Sequence, residues 1–416
     1  MKRKLIPQTL VWLSASLLCA PALQADWSFV MLGDTRDVNY TTTGVSPYLN
    51  TIAQKIATLS PDLVLMGGDL ANGNALTNGP SHSLFDDFNG NFSDANAYTL
   101  YTQMLNNWKT AMQPVYNYST SSGIPIYTVR GNHENNDTEA APIAVLKQAY
   151  YDAFSAYVPA NGPNNGVTDN EQGFSWSFTH KGVTFVAADQ YFKFDPTYAS
   201  STPWSGYHYL DQSWVTQQFQ QSSSPYKIFM SHEPFFQTQG NGPGQMDNQD
   251  AQHFFGTNTA ALLTRSDFWN ALGTNGVQLY MSGHIHLETV ASITNASGNA
   301  MIQIMAGNGG APPQNFIDNP EAGVNTLYNS GSTLIYTNGE WAVDATVGFS
   351  LATVGDTNMT IRYYSYNTND STWAVASYVT SISPDLQNVP EASTVVLLAP
   401  ATAALMIGWY RKRRKD

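Results

Sequence analysis

The chain reads as an α/β protein whose two sheets belong to one domain, and three observations predict it. Short apolar runs alternate with helically spaced apolar residues as far as His286. An acid, an amide or a histidine follows the end of nearly every such run. From Glu288 to Ser383 the pattern changes to short alternating runs, the signature of further strands.

The elements follow in order. Trp27–Leu32 is an apolar run that ends in Gly33-Asp34. Ser46-Pro47 opens a helix whose Tyr48, Ile52, Ile56 and Leu59 share one face. Leu63–Met66 is a second strand, ending in Gly67-Gly68-Asp69. This strand, helix, strand unit carries an acid just past each strand, where open α/β sheets place ligands. Beyond a polar loop from Ala71 to about Asn96, Tyr101, Leu105, Trp108 and Met112 repeat at helical spacing. That helix leads to a third strand, Ile124–Val129, followed by Arg130-Gly131-Asn132-His133-Glu134. Val183–Ala187, Ile228–Met230 before Ser231-His232, and Val277–Met281 before Ser282-Gly283-His284-Ile285-His286 behave alike. Ile302–Met305, Gly348–Thr353, Met359–Tyr364 and Trp373–Tyr378 are the best later strands and are expected to form the second sheet. The stretch from Gly307 to Trp341 reads as an insertion on the site side, either facing substrate or a tolerated surface excursion.

With 42% hydrophobic and 12% charged residues among 416, the chain can bury a large core and is not a disordered polymer. Eight of its 18 basic residues crowd into positions 2–4 and 411–415, leaving ten against 30 acids between them. A body so negative argues against nucleic acid as its natural partner unless bound metal supplies positive charge, and acting on phosphate would require added cations. Cys19 is the single cysteine and lies in the expected leader, so no disulfide remains after processing.

Both ends read as sorting signals. Lys2-Arg3-Lys4, an apolar run and small residues up to Ala25 have the form of a secretory leader over 1–25, with the mature chain starting near Asp26. An uncleaved N-terminal anchor is the alternative. After a domain spanning 26–386, Val389-Pro390-Glu391-Ala392-Ser393 precedes an apolar span over 394–410 and the basic Arg411-Lys412-Arg413-Arg414-Lys415. This tail, 387–416, resembles the PEP-CTERM sorting tail cut by the membrane protease exosortase, with Ala392 where that motif has proline. A plain C-terminal anchor is the other reading, and either one puts the folded part outside the cytoplasm.

Taken in order, Asp34, Gly68-Asp69, Gly131-Asn132-His133-Glu134, His232 and Gly283-His284-Ile285-His286 resemble the signature of the calcineurin-like metallophosphoesterases, purple acid phosphatases included. The resemblance implies a four-layer α/β/β/α sandwich with two mixed β-sheets. It also implies a pair of iron, manganese or zinc ions, bridged by Asp69, with Asp34 and His286 on the first and Asn132, His232 and His284 on the second. Two ions about 3.5–4 Å apart acidify a bridging water and polarise the phosphoryl group. The implied reaction is hydrolysis of a phosphate monoester by bridging hydroxide. His133 would protonate the leaving oxygen or share its charge. Glu134 would buttress the loop. A phosphodiesterase or nucleotidase, or a non-catalytic surface or matrix binding protein on the same fold, are the alternatives.

Two positions depart from that pattern. Many members have a histidine two residues after the first aspartate, and purple acid phosphatases a tyrosine three residues after the second; Arg36 and Asn72 stand there instead. Arg36 is expected to clamp phosphate beside Asn132 and His133, or else to pair with a loop acid such as Asp37. Arg130 invites the same two readings. His82, His180, His208 and His253 lie outside the motifs and are expected on the surface or behind the site, with His208 at the substrate mouth as a further option. Trp204, Tyr207 and Trp341 could stack on a ring of the substrate or merely pack loops.

Overall fold

The computed structural model describes residues 26–37, 43–73, 94–134, 140–166, 170–192, 210–235, 259–294, 300–311, 333–337, 346–375 and 380–383. The chain begins with β1 (Trp27–Leu32), α1 (Leu49–Leu59), β2 (Leu63–Met66) and α2 (Asp94–Ala111). A small hairpin of β3 (Tyr116–Asn117) and β4 (Ser122–Gly123) precedes β5 (Ile126–Thr128) and α3 (Ala140–Phe154). Next come β6 (Trp176–His180), β7 (Val183–Ala187), α4 (Gln212–Gln221), β8 (Tyr226–Met230), α5 (Thr259–Thr274) and β9 (Leu279–Ser282). The chain closes with β10 (Glu288–Thr294), β11 (Ala300–Ala306), β12 (Thr333–Thr337), β13 (Thr346–Val354), β14 (Met359–Asn367), β15 (Thr372–Val375) and β16 (Thr380–Ile382).

These strands form two large mixed sheets. In the first the order is β15-β14-β13-β1-β2-β5, with β16 also on β14; in the second it is β12-β10-β11-β9-β8-β7-β6. The run from Glu288 onward is therefore not a sheet of its own, as the sequence led us to expect. β10 to β12 extend the second sheet past β9, whereas β13 to β16 extend the first past β1. The reason is that each parallel core has an open edge of unpaired backbone groups, and both edges take strands from the same C-terminal supply. Thus β1 pairs in parallel with β2 on one side and antiparallel with β13 on the other.

Alternation along β1 explains the layering. Phe29 and Met31 face inward, meeting Phe185, Ile228, Met230 and Met281 of the second sheet, while Val30 and Leu32 face Ile52, Trp108 and Leu146 of α1 to α3. On the far side of the second sheet, Val186, Phe229 and Tyr280 pack on Val215 and Phe219 of α4 and Phe268, Trp269 and Leu272 of α5. Helices, sheet, sheet and helices make the four-layer α/β/β/α sandwich. The leader, the tail with its apolar span 394–410, Trp204, Tyr207, Trp341, His82, His208 and His253 lie outside the described residues. Among the described residues no helix is long and apolar enough to cross a membrane.

One buried carboxyl ties the sheets together. Glu288 opens β10 and accepts the hydroxyl of Ser350 on β13, while its other oxygen, also buried, has no hydrogen-bond partner among the described residues. Burial raises this carboxyl from its ordinary 4.5 to about 8. The folded chain therefore holds a proton here that the unfolded chain releases above its ordinary value. Stability from this group should be complete below pH 4.5 and fall by up to about 1.4 kcal/mol per unit as pH rises towards 8. Glu288→Gln should lack this fall, so the difference in urea midpoint between variant and wild type should grow across that window. A difference independent of pH would refute the assignment.

Candidate metal centre

The site lies at the C-terminal ends of the parallel strands of both sheets. Gly33-Asp34 follows β1, Gly67-Gly68-Asp69 follows β2, a 3-10 turn over Asn132–Glu134 follows β5, His232 follows β8 and Gly283-His284 follows β9. Asp34, Asp69 and His284 adopt positive φ, at 56°, 52° and 70°. Non-glycine residues reach that region only when their surroundings hold them there, and such strain gathers at functional sites. Backbone bonds do the holding: Asp34 N–H donates to Gly68 O, and Thr35 and Arg36 N–H both donate to Asp69 O. Trp108, expected only as a core residue of its helix, also donates its indole N–H to Thr35 Oγ1.

The glycines beside the polar residues have a steric reason. A Cβ on Gly131 would lie 2.1 Å from Asp69 Oδ1, and one on Gly283 would lie 2.4 Å from Asp34 Oδ2. The carboxylates fill the space that any side chain would need.

Asp69, Asn132, His232 and His284 converge. Asn132 Oδ1 lies 3.1 Å from both His232 Nε2 and His284 Nδ1, and His232 Nε2 lies 3.4 Å from Asp69 Oδ1. Ligand atoms bound at about 2.0–2.2 Å to one ion are spaced this way. His232 Nδ1 donates to Gly67 O at 2.7 Å, which leaves its Nε2 lone pair facing the cluster. Ligand atoms of Asp34, Asp69 and His232 also lie within 4.8 Å of one another, and the buried Asp34 Oδ1 has no hydrogen-bond partner among the described residues. The donor set, oxygen and nitrogen with no thiolate, fits a metal ion of the iron, manganese or zinc kind.

The Asp34 side is different. His286 Nε2 lies 3.6 Å from Asp34 Oδ1 but 3.2 Å from Arg36 Nη2, and Arg36 Nε donates to Asp69 Oδ2 at 3.2 Å. Arg36 Nη1 reaches the backbone oxygen of Asp37, not its carboxylate. Neither sequence reading of Arg36 foresaw a pairing with the central aspartate. Burial pushes Asp34 well up, reinforced by the charge of Asp69. Burial pushes Asp69 up too, but His133, His232 and Arg36 outweigh it and hold that carboxyl low. Two carboxyls so close divide into one easily ionised and one not.

His133 sits at the open side, its Nε2 3.7 Å from Asp69 Oδ2 and its Nδ1 2.9 Å from Asn72 Oδ1. Asn72 in turn donates from Nδ2 to Asp37 O, so its oxygen is the end left for the ring's N–H. Burial and then the nearby Arg36 charge push His133 well below the usual histidine value. Glu134 is fully buried and accepts four backbone N–H groups: Leu70 and Ala71 on Oε1, Asp69 and Gly131 on Oε2. Both β2 and β5 loops hang from this one carboxylate.

Two further expectations are answered by geometry. Arg130 is fully buried, paired with Asp189 at 2.7 Å and lying over the Phe174 ring. His180 lies at Asp62, 3.3 Å away, beside Trp27. The His284-Ile285-His286 segment does not continue β9 as an extended strand. Successive tight turns, Ile285 N–H to Gly283 O and Leu287 N–H to Ile285 O, bring His284 and His286 round and bury Ile285 with Leu287 and Met305.

The family model for calcineurin-like phosphoesterases matches residues 28–288. Among solved structures, a purple acid phosphatase from yellow lupin (Lupinus luteus) seeds is similar at 17% identity and TM-score 0.54, covering 90% of this chain and 57% of that one. PhoD is similar at 12% identity and TM-score 0.55, covering 90% and 73%. The chain thus spans little more than half of the lupin protein, and identities this low show the fold alone. No curated protein sequence matches the chain.

Proposed function

Because the chain belongs to the calcineurin-like phosphoesterase family, we propose that it is a metal-dependent hydrolase of phosphate monoesters that works outside the cytoplasm. The observation that carries this reading is the convergence of Asp69 Oδ1, Asn132 Oδ1, His232 Nε2 and His284 Nδ1 beside the partly exposed His133. The leader over 1–25 and the tail over 387–416 support export, with membrane attachment through the tail before any processing.

Asp69, Asn132, His232 and His284 would hold an ion; Asp34 and His286 stand where the family resemblance implies a second one, with Arg36 between them and Asp69. A bound ion supplies positive charge to the phosphoryl oxygens and acidifies water. The chain's own residues supply the rest. Asn72 fixes the His133 ring with its proton on Nδ1, so Nε2 carries the lone pair towards the cleft. That nitrogen can take the proton of a monoester monoanion and pass it to the leaving oxygen, a step that a diester lacking that proton does not offer. Arg36 turns a planar donor face to the same space.

The test uses the full chain with its bound metal and three esters: p-nitrophenyl phosphate, phenyl phosphate and bis-p-nitrophenyl phosphate. The monoesters should be turned over faster than the diester. His133→Ala should lower kcat/KM by about 10²–10⁴-fold. The loss should be larger with phenyl phosphate, whose leaving group needs the proton more. A preference for the diester would shift the reading to a phosphodiesterase. Metal-loaded protein that turns over none of the three would leave a binding role on this fold.

A further inference from the structure

Arg36 occupies the ground that an ion on the Asp34 side would need. We propose that its guanidinium replaces that ion, so that the chain binds one metal, at Asp69, Asn132, His232 and His284, with Arg36 as a permanent second cation. The inference rests on the metal-centre reading of the site.

Four observations carry it. The two ligand atoms that an ion would require from its flanks, Asp69 Oδ2 and His286 Nε2, are each 3.2 Å from a guanidinium nitrogen. The third nitrogen is anchored 3.3 Å from Asp37 O, so each nitrogen of the group has one partner. The Arg36 side chain is only 12% exposed, which makes this a built position rather than a surface arm. Asp69 divides its oxygens as a shared ligand does: Oδ1 faces His232 and the His133 N–H, while Oδ2 faces Arg36. A guanidinium cannot be deprotonated in a protein, so a divalent ion entering beside it meets undiminished repulsion. Asp34 keeps its structural part by accepting the His284 N–H at 2.8 Å, which shapes the turn that delivers His284 to the single ion.

Such a centre differs functionally from a metal pair. One of its two cations cannot be chelated, exchanged or starved away. Arg36 still has N–H groups beyond the three contacts described, suited to two oxygens of a phosphoryl group.

The experiment counts ions. Full-length protein saturated with Mn²⁺, freed of loose metal and analysed for manganese, should hold one ion per chain, with the electron paramagnetic resonance spectrum of an isolated ion. Asp34→Asn should leave that count at one. Arg36→His, which removes the guanidinium and offers an imidazole, should raise it to two and add an exchange-coupled signal. Two ions per wild-type chain with a coupled spectrum, or an Arg36→His protein that folds by near-UV circular dichroism yet still binds one, would overturn the proposal. Should Arg36→His fail to fold, the wild-type and Asp34→Asn counts decide alone. A wild-type count of zero would instead remove the metal-centre reading itself, a result distinct from two.

Discussion

Asp69→Asn is expected to lose its bound metal and at least about 10³-fold of its turnover, equivalent to roughly 4 kcal/mol of transition-state stabilisation. The reason goes beyond the loss of one negative charge. Oδ1 accepts the His133 N–H at 3.0 Å and Oδ2 accepts Arg36 Nε at 3.2 Å, so both oxygens are already committed to donors. An amide must turn its NH₂ to one of them. It would face either Arg36, leaving the guanidinium without that acceptor, or the His133 loop, displacing the ring from the cleft. Manganese content and monoester turnover measured on the same sample check this. A variant that kept its metal and more than a tenth of the wild-type rate would show that Asp69 is not the centre of the site.

Glu134→Gln should lower stability by about 2–6 kcal/mol, because two buried N–H groups would lose their acceptor at about 1–3 kcal/mol each. All four acceptor positions of the carboxylate are filled by Asp69, Leu70, Ala71 and Gly131, so whichever way the amide turns, its NH₂ meets two donors. Asp69 and Asn132 lie on the two loops concerned, so metal affinity should fall with stability. Comparing urea midpoints and manganese titrations of variant and wild type tests both. A midpoint cost below about 1 kcal/mol would mean that the loops hold themselves, through contacts such as those of Thr35 and Trp108.

Much of the frame could be read in advance, for reasons visible in single elements. Trp27–Leu32, Leu63–Met66 and Val183–Ala187 are strands with the predicted bounds, since each is a mostly apolar run with at most one hydroxyl residue in it. Trp176–His180 was missed because Ser177 and Thr179 dilute its hydrophobicity, although Trp176 is fully buried. Sheet membership was not legible either. β13 and β11 look alike as sequences, and only the open edges of β1 and β9 decide which strand goes where. At the site, the residue types that gather were legible by their order. The partners of Arg36, Asn72 and Glu134 were not, because most of those bonds span loops far apart in the chain, and a sequence carries no distances across a fold.

The first strand carries a burden in time as well as in space. Trp27 pairs with Val354 and Met31 with Ser350, so the ladder beside Asp34 joins nearly opposite ends of the described chain. Contacts of such separation are slow to find, because the loop between them must be closed before any bond rewards it. Until Thr346–Val354 has emerged, β1 has one partnered side and one bare one, however well α1 and β2 have already docked. The aspartates at the head of this sheet are therefore made early and seated late, and the cleft is finished only when almost all of the chain has been delivered.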